Sequence, residues 1–71
     1  MTVYEALVAL KIFFEKYSVY ENGKLIKTDL SYDAIKEAMR YGEYDEAYDE
    51  LLGLEVVAIF PEGNRIEVKH N

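Results

Sequence analysis

Val19-Tyr20-Glu21-Asn22-Gly23-Lys24-Leu25-Ile26 is the stretch that decides the fold. Asn-Gly is the strongest two-residue turn signal, because both central positions of a type I′ turn need positive φ. The turn then sets a register: Glu21 faces Lys24, Tyr20 faces Leu25 and Val19 faces Ile26. One pair is opposite in charge and two are apolar, as cross-strand neighbours should be. The hairpin runs from about Ser18 to Thr28.

A second hairpin closes the chain, Leu54–Phe60 and Arg65–His70, around Phe60-Pro61-Glu62-Gly63. Pro61 presets φ at the second turn position, and Gly63 suits a left-handed bulge position. A three-residue loop pairs Phe60 with Asn64, Ala58 with Ile66, Val56 with Val68 and Glu55 with Lys69. One face is then Leu54, Val56, Ala58, Phe60, Ile66 and Val68. A four-residue loop slips the register and sets Ala58 against Glu67, which strict alternation rejects.

Helical spacing fills the rest. Thr2-Val3-Tyr4-Glu5 fits a capping box. Val3, Ala6, Leu7, Leu10, Phe13, Phe14 and Tyr17 form an i, i+3, i+4, i+7 stripe, which predicts a helix from Thr2 to about Tyr17. A second helical region begins near Asp29 or Ser31, either of which can cap it. Its stripe is Leu30, Ala34, Ile35, Ala38 and Met39. Gly42 suits a left-handed helix end, and the sequence leaves open whether it breaks or bends the helix. A further piece, Glu43 to Leu52, buries Tyr44, Ala47, Tyr48 and Leu51 and stops at Gly53. The expectation is an α+β fold, a four-stranded antiparallel sheet from two hairpins packed with helices, in the order α-β-β-α-α-β-β. The pattern does not fix the strand order.

Seventy-one residues make one domain, 1–71. A core this small supplies roughly 3–5 kcal/mol, so small folds often need a staple. With no cysteine and one histidine, neither a disulfide nor a structural zinc site is available; ideal local structure and self-association remain. Val3–Phe14 is too short to span a bilayer and contains Glu5 and Lys11. It also lacks the basic start of a signal peptide, so a cytoplasmic location is expected, without membrane contact.

Net charge is −6, unevenly placed. Residues 41–64 hold seven acids and no Lys or Arg, a net of −7, while the rest carries seven acids and eight bases, a net of +1. Direct nucleic-acid binding is disfavoured because phosphates require clustered bases. Docking on a basic protein surface is favoured.

Catalysis is poorly supplied. His70 is penultimate, and the serines, Ser18 and Ser31, fall at a strand start and a cap. No oriented base for a nucleophile can be assembled. Asp45, Glu46, Asp49 and Glu50 are rich in oxygen but lack the loop spacing of a calcium hand. The chain is read as non-enzymatic, with neither cofactor nor metal. Its partner-binding candidates are the acidic face Glu43, Asp45, Glu46, Asp49 and Glu50. Like charges one turn apart, Asp45/Asp49 and Glu46/Glu50, each cost about 0.2–0.5 kcal/mol; solubility alone would mix in Lys. A homodimer interface is expected at Tyr4, Val8, Ile12, Val57 and Ile59, which point away from the main apolar faces.

Tyr20-Glu21-Asn22-Gly23-Lys24 in a hairpin, followed by an acidic helix and a terminal hairpin, resembles many small orphan proteins of phages and mobile elements. The acid density of Glu43–Glu50 is similar in kind to anti-restriction and anti-CRISPR proteins that imitate DNA. The resemblance covers no diagnostic motif and carries over no site residue. It implies an inhibitor or regulator of a nucleic-acid-handling protein. The alternative is an assembly protein whose function is its own oligomer.

Overall fold

A computed structural model describes residues 1–70. Helix α1 spans Val3–Leu10 and a 3₁₀ turn covers Lys11–Phe13. Strands β1 (Tyr17–Glu21) and β2 (Lys24–Leu30) follow, then α2 (Tyr32–Arg40), α3 (Glu46–Leu52), β3 (Val56–Phe60) and β4 (Arg65–Val68). The fold is α+β, with one four-stranded sheet in the order β2-β1-β4-β3. Each hairpin is antiparallel, but the central β1–β4 pair is parallel, so the sheet is mixed. The antiparallel expectation fails here because it followed pairing within each hairpin. How two hairpins join is settled by which strand buries more. β4 contributes Ile66 and Val68, both buried, and takes the centre.

The capping box forms as expected: the Thr2 hydroxyl accepts from the Glu5 amide at 3.2 Å, and Glu5 accepts from the Thr2 amide at 2.8 Å. That exchange satisfies two amides a helix start leaves open and holds the Glu5 carboxyl below its ordinary pKa. The helix is nevertheless shorter than its stripe. It ends at Leu10, the 3₁₀ turn follows, and Phe14 takes φ 52°. Aromatic and β-branched residues lose rotamer freedom in helices, and Ile12-Phe13-Phe14 is such a run. The chain must also be extended by Tyr17, which is buried on β1 rather than on a helix. Phe13 and Phe14, expected in the core, point into solvent.

Asn22 and Gly23 have φ 50° and 78°, as a type I′ turn requires. Glu21 pairs with Lys24 and Tyr20 with Leu25, but Val19 pairs with Lys27 rather than Ile26. Two register shifts, between Tyr20 and Val19 and between Val19 and Tyr17, each add one residue to β2. β2 runs on to Leu30, a buried strand residue and not part of the next helix. Ser31, not Asp29, caps α2, accepting from the Ala34 amide at 3.0 Å.

The second hairpin departs at the turn itself. Phe60 pairs with Arg65 across a four-residue loop, Ile59 with Ile66, and Ala58 with Glu67. A bulge at Val57 then restores Val56 opposite Val68. Strict alternation rejected this register because it assumed no bulge. With one, Ala58 and Glu67 share the outer face while Ile59 packs against the core. Glu55 and Lys69 meet as expected, through a 2.8 Å backbone bond and a 3.8 Å ion pair.

One cluster of buried apolar side chains joins all the main elements except β3, which packs against it through Val56 and Ile59. Val3, Ala6 and Leu7 of α1 meet Ile35 of α2, Leu52 of α3, Val19, Leu30, Ile66 and Val68. The helices therefore cover one sheet face. On the other, the Arg65 guanidinium lies 3.8 Å from the Tyr20 ring centre and 2.9 Å from the Glu67 carboxylate. No helix is long and apolar enough to cross a membrane among the described residues.

Candidate functional site

The acidic segment begins where α2 ends. Gly42 has φ 71°, and the Glu43 amide donates to the Ala38 carbonyl at 2.8 Å. This six-to-one bond with a left-handed glycine is a Schellman ending, so Gly42 breaks the helix. Glu43 and Tyr44 then lie in an irregular connection after the Tyr41–Gly42 turn, not at the start of a helix. Asp45 is the N-cap of α3, its carboxylate accepting from the Tyr48 amide at 2.9 Å.

Helix α3 turns about 100° per residue, which places Glu46, Asp49 and Glu50 within one outward arc. Tyr48, Leu51 and Leu52 occupy the opposite side, with Leu52 buried and the other two packed against the core. Ala47, expected to be buried, is exposed. The Tyr44 and Tyr48 rings stack at 5.1 Å. The Tyr44 hydroxyl donates to Asp49 at 2.8 Å, and this bond, chiefly, raises the tyrosine's pKa. Burial, and then the nearby Glu43 charge, raise that of Tyr48.

The five expected acidic residues therefore divide. Glu46, Asp49 and Glu50 form one outward face. Glu43 and Asp45 lie at its N-terminal end, lining a hollow of about 350 Å³ shared with Ile26, Lys27 and Tyr48. All five are exposed. Among the described residues the ion pairs are Arg65–Glu67 and Lys69–Glu55, and neither touches this segment. The nearest base that sequence reasoning missed is Lys27, whose ammonium sits 5.5 Å from the Tyr48 ring centre. The bulge at Ile26–Lys27 delivers it there, and a bulge leaves no mark in the spacing. No three described carboxylate or histidine groups gather in a metal-binding arrangement.

The expected interface residues are spread over α1, the 3₁₀ turn and β3. Val57 is 58% exposed at the β3 bulge and Ile12 67% exposed in the 3₁₀ turn. Tyr4 is exposed on α1 and Val8 is half-buried. Ile59 is withdrawn from the set, because the bulge turns it to the core. Phe13 and Phe14, assigned to the core by their spacing, are exposed, as are Met39 of the α2 stripe and Phe60 of the expected inner hairpin face; for the two phenylalanines the adjacent charges Lys11, Glu15 and Lys16 were the available signal. No protein family, curated protein or solved structure matches the chain.

Proposed function

We propose that this chain is a non-enzymatic, cytoplasmic protein-interaction domain that binds a basic surface of a nucleic-acid-handling protein through α3. It acts as an inhibitor or regulator, of the kind phages and mobile elements encode, and touches neither nucleic acid nor membrane directly. The observation that carries the reading is the outward arc of Glu46, Asp49 and Glu50, which no lysine or arginine of the described chain neutralises. Like charges held together at a cost are compensated when an opposite charge arrives. The neighbouring Tyr44 and Tyr48 stiffen the helix through their stack and the Asp49 bond.

The test is competition with duplex DNA on a panel of purified basic DNA-binding domains. The wild-type chain should displace labelled duplex from at least one of them. Glu46→Lys with Glu50→Lys should weaken that displacement by about tenfold or more, and raised salt should slow association. Displacement indifferent to both changes removes the reading. Self-assembly as the function is the second reading, favoured by the exposed apolar residues of the 3₁₀ turn.

A further inference from the structure

Arg65 and Lys27 each sit on a tyrosine ring, but only one of the two arrangements is complete. The Arg65 guanidinium lies 3.8 Å from the Tyr20 ring centre and pairs with the Glu67 carboxylate at 2.9 Å. The Lys27 ammonium lies 5.5 Å from the Tyr48 ring centre, and no carboxylate of the described chain pairs with it. Tyr44 stacks on Tyr48 at 5.1 Å, so one face of the ring is left for a cation. Burial first, and the Glu43 charge second, raise the Tyr48 pKa, so a carboxylate stands close by. Two hollows open here, of about 350 and 390 Å³, and Lys27, Glu43 and Tyr48 line both. Asp45 lines the first; Asp29, Glu37 and Tyr41 line the second. The joint walls therefore carry four carboxylates against one base. No three described carboxylates gather in a metal-binding arrangement, so these walls suit a broader cation than a metal ion.

We propose that this double hollow is an arginine-binding site, in which a partner's guanidinium displaces the Lys27 ammonium, stacks on Tyr48 and pairs with Glu43. The molecule itself shows the completed arrangement at Tyr20, Arg65 and Glu67. At Tyr48 the ring and the carboxylate are present and only the guanidinium is missing. Arginine suits the place better than lysine does. Its flat, weakly hydrated head stacks on an aromatic ring while its fork grips a carboxylate, whereas an ammonium is a strongly hydrated point charge. Lys27 is exposed and held by no ion pair, so it can give way to a better cation. The proposal rests on the reading that the partner's surface is basic, and it adds the anchor. The outward arc of α3 steers the partner, and the hollow beside it holds one arginine, a residue type enriched among interface anchors.

The test titrates the whole chain with Nα-acetyl-arginine amide and with Nα-acetyl-lysine amide, following backbone amide signals by NMR. The amides of Lys27, Glu43 and Tyr48 should shift to saturation. The arginine probe should bind at least about threefold more tightly than the lysine probe, the scale of one exposed cation–π contact. Lys27→Ala removes the competing ammonium and should tighten arginine binding by about threefold. Lys24→Ala deletes the same charge from the same strand outside both hollows, and should not. Glu43→Gln should weaken binding by about threefold, as loss of one exposed ion pair does. Lys27 and Glu43 are exposed, so neither change disturbs the core. Equal affinity for the two probes, no saturable shift at Lys27, Glu43 and Tyr48, or an affinity that Lys27→Ala leaves alone overturns the proposal. The α3 reading fails separately. Duplex displacement that responds to Glu46→Lys with Glu50→Lys but ignores Glu43→Gln keeps that reading and overturns the arginine site. Arginine held in the hollow, with no duplex displaced from any domain, keeps the site and removes the reading.

Discussion

Asp45 and Glu50 are two carboxylates on one short helix with opposite consequences. The first caps α3 through the Tyr48 amide, and removing such a cap costs about 1 kcal/mol. The second has a like charge, Glu46, one turn away and no base beside it. Asp45→Ala should therefore lower the melting temperature by about 4–8 °C, the usual shift per kcal/mol at this size. Glu50→Ala should leave it unchanged or raise it slightly, by relief of ~0.2–0.5 kcal/mol of repulsion. Calorimetry on both variants checks the pair, and equal losses would contradict the cap assignment. Thr2 and Ser31 were legible as caps because each precedes an apolar stripe with a residue of the right chemistry. Asp45 was not, because Glu43 and Tyr44 before it continue an apparent helical pattern that only the backbone at Gly42 interrupts. Phe14 was illegible for a different reason. Aromatic spacing reads the same whether the residue ends in a core or in a left-handed turn facing water.

At the level of elements, the two glycines that bound α3 differ in kind. Gly42 needs its positive φ, whereas Gly53 has φ −87° and room for a methyl, its nearest neighbours being carbonyls at 3.6 and 3.7 Å. Gly42→Ala should destabilise the chain by about 1 kcal/mol, since an L side chain is strained there. Gly53→Ala should be neutral or stabilising by up to ~1 kcal/mol through loss of unfolded-state freedom. Urea melts of both decide it; a destabilised Gly53→Ala would mean that the helix end is not as open as its geometry indicates. Sequence reading found every helix and strand but lost the first hairpin's register beyond two pairs and the second's at the turn itself. Turn chemistry fixes the pairs beside a turn, so Glu21–Lys24 and Tyr20–Leu25 held. Beyond those two pairs an added residue in β2 shifts the first hairpin, while in the second a longer loop shifts the pairs at the turn and the Val57 bulge restores Val56–Val68; period-two patterning has no term for an added residue. The Glu46–Glu50 arc survives these errors because it depends on helical period alone.

Across the whole molecule, the parallel β1–β4 seam matters most. Ser18 pairs with Arg65 and Tyr20 with Glu67, positions at opposite ends of the chain. Each hairpin closes locally within microseconds, but neither can hide its inner side until the other arrives, which makes assembly wait on a distant encounter. Cutting the backbone after Gly42 should give two peptides, 1–42 and 43–71, that are each largely unstructured alone. Mixed in equal amounts, they should recover the circular dichroism of the intact chain. Independent folding of either peptide would show that the seam is dispensable. The same seam gives this protein a built-in route to split reporters: two inert halves whose reunion restores both the acidic helix and the sheet beneath it.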